Sequence, residues 1–170
     1  MVLRRALAGL SAALLLAGCG TDSSVADPPV QSSPTSSPTS DPPARETAEH
    51  FIRRWAEAEK RMENTGKTAA YLSMSRQCRA CRQLASDIRA FYAAGGFAKW
   101  GGWRILSVTP AGSHGGNEVY DVKVESRPTN YRESSTSPTR RLAGGPATHQ
   151  LVMKPHGSSW VLIQKAQIAG

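Results

Sequence analysis

A long hydrophobic run is the first thing missing from this sequence. The longest apolar stretch, Ala6 to Leu16, is well short of the ~20 residues needed for a membrane-spanning helix. Cysteine is scarce too, with three in 170 residues: Cys19, Cys78 and Cys81. That excludes a disulfide-dense scaffold. A structural zinc site needs about four ligands. None of the four histidines lies at ligand spacing from the cysteine pair, so neither metal nor cofactor is expected. The sequence has no Gly-x-Ser-x-Gly, no His-Glu-x-x-His and no phosphate-binding glycine loop. Those absences remove the common motif-bearing hydrolases and nucleotide enzymes. Acidic residues are outnumbered 13 to 21 by basic ones, for a formal net charge of +8. Nucleic acid, a usual partner of basic proteins, is not expected, because no repeated aromatic–basic motif accompanies the charge.

The amino terminus carries an address. Arg4 and Arg5 precede the apolar stretch, which ends in Leu16-Ala17-Gly18-Cys19. A basic start, an apolar middle and small residues before a cut make an export signal. The ending resembles the lipobox of bacterial lipoproteins. That resemblance implies cleavage before Cys19, a diacylglyceryl group on its thiol, and acyl chains (palmitate among them) holding the protein to the membrane. The expected location is the extracytoplasmic face of the cell membrane. Two or more chains anchor stably where one does not. Cys19→Ser is therefore expected to move the protein out of the membrane fraction or to leave it as uncut precursor. Wild-type fractionation and migration of that variant would overturn the lipoprotein reading.

Residues 19–44 read as a tether. Ser-Pro-Thr-Ser recurs at 33–36 and 37–40, with Pro28-Pro29 and Pro42-Pro43 near the ends. Such a stretch cannot bury enough apolar surface to order itself. At ~3.1 Å per residue its reach is on the order of 75 Å. Residues 45–170 are one domain by length. The division is a signal peptide at 1–18, a lipidated Cys19 with a disordered linker to 44, and the domain.

The domain reads helical first. Ala48, Phe51, Ile52, Trp55, Ala58 and Met62 recur at helical spacing, with Arg53, Arg54, Glu57, Glu59 and Lys60 mostly on the other face. Asp41 or Thr47 would cap this helix, and Asn64-Thr65-Gly66 would stop it. A short helix over Thr68 to Met74 and a third from Arg79 to Ala94 follow, with Gly95-Gly96 ending the third. The second half alternates as strands: Trp103 to Thr109 closed by Pro110, Glu118 to Ser126, Thr148 to Lys154, and Ser158 to Gln167. The segment from Arg127 to Ala147 is polar and loop-like, with at most one short edge strand near Tyr131.

Helices followed by antiparallel strands predict an α+β fold with three helices packed on one curved sheet. This order, ending in Ser159-Trp160-Val161-Leu162-Ile163, resembles the cone fold of the nuclear-transport-factor-2-like superfamily. Cys78-Arg79-Ala80-Cys81 and Phe91-Tyr92-Ala93-Ala94-Gly95-Gly96, together with the lipobox and tether, resemble a family of uncharacterised actinobacterial lipoproteins. That family implies no particular activity.

Three candidate sites emerge. Cys78 and Cys81 would form a disulfide pinning the turn before the third helix; a redox pair, activated by nearby arginines, is the alternative. Arg76, Arg79, Arg82 and Arg89 would form a solvated basic stripe or a contact for lipid phosphate or an anionic wall polymer. Trp55, Tyr71, Trp103, Tyr120, His149 and Trp160 would face the space between helices and sheet, as core or as the wall of a pocket. Trp100-Gly101-Gly102-Trp103 would be a mobile edge to that pocket or a turn into a strand. The expectation is a non-enzymatic binding or accessory module for an envelope protein, an anionic polymer or a small apolar ligand. The alternatives are a pocket enzyme of the isomerase or dehydratase type built on His149, Asp87 or Glu118, and a thiol–disulfide protein. The superfamily resemblance implies that a dimer through an exposed sheet face is open to it.

Overall fold

The structure, a computed structural model, describes residues 44–168. Cys19, Asp41, the export signal and nearly all of the tether lie outside the described residues. Helix α1 spans Ala48–Thr65, α2 Ala69–Ser75 and α3 Arg79–Ala93. Seven strands follow: β1 (Gly95–Trp100), β2 (Trp103–His114), β3 (Asn117–Ser126), β4 (Thr129–Ser134), β5 (Arg140–Leu142), β6 (Gly145–His156) and β7 (Ser159–Ile168). The fold is α+β, with helices first and antiparallel strands after them. Among the described residues no helix is long and apolar enough to cross a membrane.

Local chemistry explains the helix ends. The Thr47 hydroxyl accepts from the His50 amide at the start of α1, satisfying one of the donors that a helix N-terminus leaves free. Gly66 ends it in the left-handed conformation, at φ 71°. A side chain there would be strained and would press on the Tyr92 ring at 2.8 Å. The Cys78 sulfur caps α3 through the Cys81 amide.

The expectation of a single sheet is corrected. Strands β1, β4 and β5 form one sheet, and β2, β3, β6 and β7 another. The segment 127–147 holds β4, β5 and the start of β6, and β4 lies between β1 and β5 rather than at an edge. Gly95-Gly96, expected only to end a helix, opens β1. At Gly96 a β-carbon would sit 2.3 Å from the Arg132 carbonyl oxygen, so glycine permits the close approach of β1 to β4. Pro110 does not close β2, which continues to His114. As an edge strand, β2 has one side free of ladder bonds, and it carries a bulge between Pro110 and Gly112; both features tolerate proline.

The core lies between helices and sheet. Phe51, Ile52, Trp55 and Met62 of α1, Tyr71 of α2 and Cys81, Ala85 and Ile88 of α3 pack with Val122, Val124, Leu151, Met153 and Leu162. Just ahead of α1, the Glu46 amide donates to the Ser158 carbonyl, and Trp160 Nε1 donates to the Glu46 carbonyl. The chain therefore enters the domain at the β6–β7 turn. The Arg54 guanidinium beside Glu46 holds its carboxyl down at about 2.

Two bulges decide which side chains face inward. Between β6 and β7, Val152 pairs with Gln164 but Met153 pairs with Leu162, so Ile163 is an extra residue. An extra residue reverses the alternation beyond it. Lys165 and Gln167 thus join Leu162 on the inner face, where strict alternation from Leu162 would have placed Gln164 and Ala166. A second shift between Ile105 and Ser107 makes Leu106 the extra residue and leaves it 52% exposed.

Candidate functional site

A cleft of about 600 Å³ opens where α1 meets the inner face of the four-stranded sheet. Trp100, Trp103 and Leu84 form its apolar wall. Glu59, Glu63, Arg127, His149 and Lys165 supply its ionisable groups. Trp100 is held firmly: Asn64 donates to its carbonyl at 2.8 Å and accepts from its amide at 2.9 Å. Gly101-Gly102 is a turn linking the two sheets, with Gly102 at φ 86°. The rings of Trp100 and Trp103 meet edge to face, with centroids 6.2 Å apart.

An ion pair lies at the floor. Glu59 is 2% exposed. One of its oxygens accepts from Lys165 Nζ at 2.6 Å and the other from the Tyr71 hydroxyl at 3.1 Å. Lys165 Nζ also stands 4.6 Å from the centroid of the Trp103 ring and 5.3 Å from that of Trp55, within the range of cation–π attraction. Burial and the neighbouring Glu59 push the Tyr71 hydroxyl well up, so it remains a neutral donor.

Two further groups are tuned by this pair. His149 stacks on Trp103 at 4.4 Å. Burial, then the Lys165 charge, lowers its pKa to about 4, and the imidazole is neutral at physiological pH. Its Nδ1 is buried without a hydrogen-bond partner. Glu63 lies one helical turn from Glu59. Burial and the Glu59 charge raise it to about 8, against the opposing pull of Lys165. A carboxylic acid at this position is a hydrogen-bond donor at neutral pH.

Of the six residues expected between helices and sheet, Trp103 and His149 line the cleft, Trp55 and Tyr71 pack with them, and Tyr120 and Trp160 pack in the core outside the cleft. Tyr120 pairs with Leu151 on β6 and packs against the core without lining the cleft, with its hydroxyl on Glu118. Trp160 sits opposite Pro155 at the far end of the hairpin, under Arg45. Asp87 and Glu118, the acids first considered for a pocket enzyme, are outside the cleft; Asp87 accepts from Gln83 on the exposed side of α3. The acids in the cleft are Glu59 and Glu63. The expectation that Glu59 lies on the outer face of α1 is corrected: residue 59 falls four after Trp55 and seven after Ile52, on the apolar stripe, and is buried. A charged residue at that spacing was the available signal.

Cys78 and Cys81 form a disulfide, with Cα atoms 5.2 Å apart and residues 0% and 1% exposed. Exchange with a soluble thiol requires access to sulfur, which this burial withholds. The bridge ties the turn ahead of α3 into the core. For so short a loop it is worth about 2 kcal/mol. Cys78→Ser with Cys81→Ser is expected to cost roughly that in a denaturant melt, and the wild-type bridge should resist dithiothreitol until the domain opens.

Arg76, Arg79, Arg82 and Arg89 are all exposed. None joins an ion pair among the described residues; the Arg82 guanidinium bonds the Arg76 carbonyl. A groove of about 530 Å³ beside Arg79 and β7 has no aromatic wall. Among the described residues no cluster of His, Cys, Asp or Glu could hold a metal ion.

No protein-family model matches this chain, and no curated protein matches it. Solved structures share its backbone arrangement. The intermembrane-space region of the chloroplast protein ARC6 superposes with a TM-score of 0.51 at 12% identity, over 72% of this chain and 95% of that one. A cystatin-like-fold protein of Caulobacter vibrioides has a TM-score of 0.42 at 8% identity, over 71% and 89%. An NTF-2-like protein of unknown function from Shewanella oneidensis has 0.41 at 12%, over 71% and 98%. At such identities the likeness to the chloroplast structure is one of fold, and function has to be argued from the site.

Proposed function

We propose that this chain is an envelope lipoprotein of the type the lipobox resemblance implies. Its cone-like α+β domain acts there as a non-enzymatic binding module, held off the membrane by the tether. The cleft between α1 and the sheet takes a small molecule. One observation carries this reading: a charged pair, a neutral histidine with a free ring nitrogen and a protonated carboxyl converge against two tryptophans in an open cleft. A filled core would instead satisfy its polar groups or replace them with apolar ones. Apolar walls with a few converging polar groups are the usual composition of ligand sites.

A pocket enzyme is the second reading, and Glu63 favours it, since an acid titrating near neutrality suits proton transfer. The test is native mass spectrometry of the gently released full-length protein. Binding predicts a retained small mass, lost when Trp103→Ala opens the wall. If no mass is retained and no molecule from a metabolite library shifts the melting temperature, the cleft is not a ligand site. The search then moves to polymer or protein partners of the arginine-rich surface.

A further inference from the structure

We infer that the cleft is selective for a small organic anion, its charged end met by Lys165 and Arg127 and its apolar body lying against Trp100 and Trp103. This inference rests on the ligand-binding reading above and deepens it. The cleft holds one carboxylate committed elsewhere: Glu59 is already shared between Lys165 and the Tyr71 hydroxyl. Glu63 is uncharged below about pH 8. Two cations remain. Lys165 has three donors, of which Glu59 takes one and no other side chain or carbonyl takes a second among the described residues. Arg127 is exposed at the rim and joins no ion pair among the described residues. His149, nine-tenths buried in the same wall, keeps an unpartnered ring nitrogen. The charged groups of the lining are then Lys165 and Arg127 against Glu59, a net positive charge beside an apolar face.

The proton on Glu63 supports the same selectivity. An ionised Glu63 would repel an incoming anion; a protonated one donates to it. The groups facing Glu63 are Glu59 on its own helix, Tyr71 of α2, Tyr92 of α3, His149 of β6, Lys165 of β7 and Arg127 between the sheets. Tyr71 and Tyr92 are pushed upward and stay neutral, and His149 stays neutral above about pH 4. Glu63 is thus the group that changes charge between pH 7 and 9.

The experiment titrates the full-length protein with phenylacetate, its neutral isostere phenylacetamide and inorganic phosphate, read by tryptophan fluorescence and indole N–H chemical shifts. Phenylacetate is expected to bind at least about tenfold more tightly than the amide, as a charge-assisted contact should. Its affinity should fall by up to about tenfold per pH unit above pH 8, and this fall should vanish in Glu63→Gln. Removing Lys165 alone exposes Glu59 to misfolding, so the double variant Glu59→Gln/Lys165→Met and the rim variant Arg127→Ala are used. Both should bring phenylacetate toward the affinity of the amide while the fold, read by circular dichroism, persists. Equal binding of acid and amide would overturn the anion selectivity and leave the ligand cleft standing. Phosphate binding as tightly as phenylacetate would overturn the role of the tryptophan wall. No binding by any of the three would overturn both the inference and the cleft reading.

Discussion

Lys165→Met is expected to cost the domain about 3–5 kcal/mol, whereas Glu59→Gln/Lys165→Met should recover most of that loss. The single change leaves the Glu59 carboxylate 2% exposed with only the Tyr71 hydroxyl to satisfy it. An uncompensated buried charge carries a penalty of that size. Removing both charges eliminates the desolvation cost along with the attraction, and such replacements are often neutral. Methionine also keeps an unbranched apolar stem against Trp55 and Trp103. Urea melts of the two variants decide the matter. If the single and double variants lose the same stability, the pair is not coupled and Lys165 contributes by packing alone. A Lys165→Met midpoint within 0.5 kcal/mol of wild type would place the pair among exposed ion pairs, contrary to the geometry.

The second large effect is a dependence of stability on pH that two cleft residues set with opposite signs. His149 has a folded pKa of about 4 against an ordinary 6.5, so the unfolded chain binds the extra proton. Its contribution is fully present above pH 6.5 and is lost as pH falls toward 4, about 3 kcal/mol in all. Glu63 has a folded pKa of about 8 against 4.5, so here the folded chain binds the extra proton. Its contribution is present below pH 4.5 and is lost as pH rises toward 8. Each slope is at most about 1.4 kcal/mol per pH unit. The wild type should therefore weaken from pH 6.5 to 8 and stay nearly flat between 4.5 and 6.5, where the slopes oppose. It should then weaken again in acid, as His149 is charged and as Glu46, held near 2, becomes protonated. Glu63→Gln removes the alkaline slope and uncovers the full His149 slope below pH 6.5. A Glu63→Gln profile that remained flat from 6.5 to 4.5 would show that His149 titrates normally and is not desolvated in the cleft.

Stacking in the cleft comes from strands whose spacing is plain in the sequence. Trp103, Val122, Val124, His149 and Leu151 alternate, and the partners pair in register. Glu59 and Lys165 were harder to see. Glu59 lies on the buried stripe of α1, but a carboxylate there reads as solvent-facing unless its partner is known. That partner is 106 residues away on a strand whose parity changes at Ile163, and nothing local to Ile163 announces a bulge. The small sheet was hidden for a related reason. Gly95-Gly96 carries the same turn chemistry whether the chain stops there or begins a closely paired strand, and only the Arg132–Glu133 backbone lying against Gly96 distinguishes the two.

The sequence by itself determined the helices, the Thr47 cap and Gly66 end of α1, the α+β order and the aromatic residues of α1 and β2, because period, capping and turn chemistry act over a few neighbours. It also carries the Leu16-Ala17-Gly18-Cys19 ending that resembles a lipobox, and a proline-rich stretch after it, as patterns readable without a fold. Tertiary structure decided the division into two sheets, the burial of the disulfide and the membership of the cleft. Those depend on contacts between distant segments and on single-residue bulges that reverse a strand's inward face, and the energies that select them, burial and charge pairing, exist only once the segments have met.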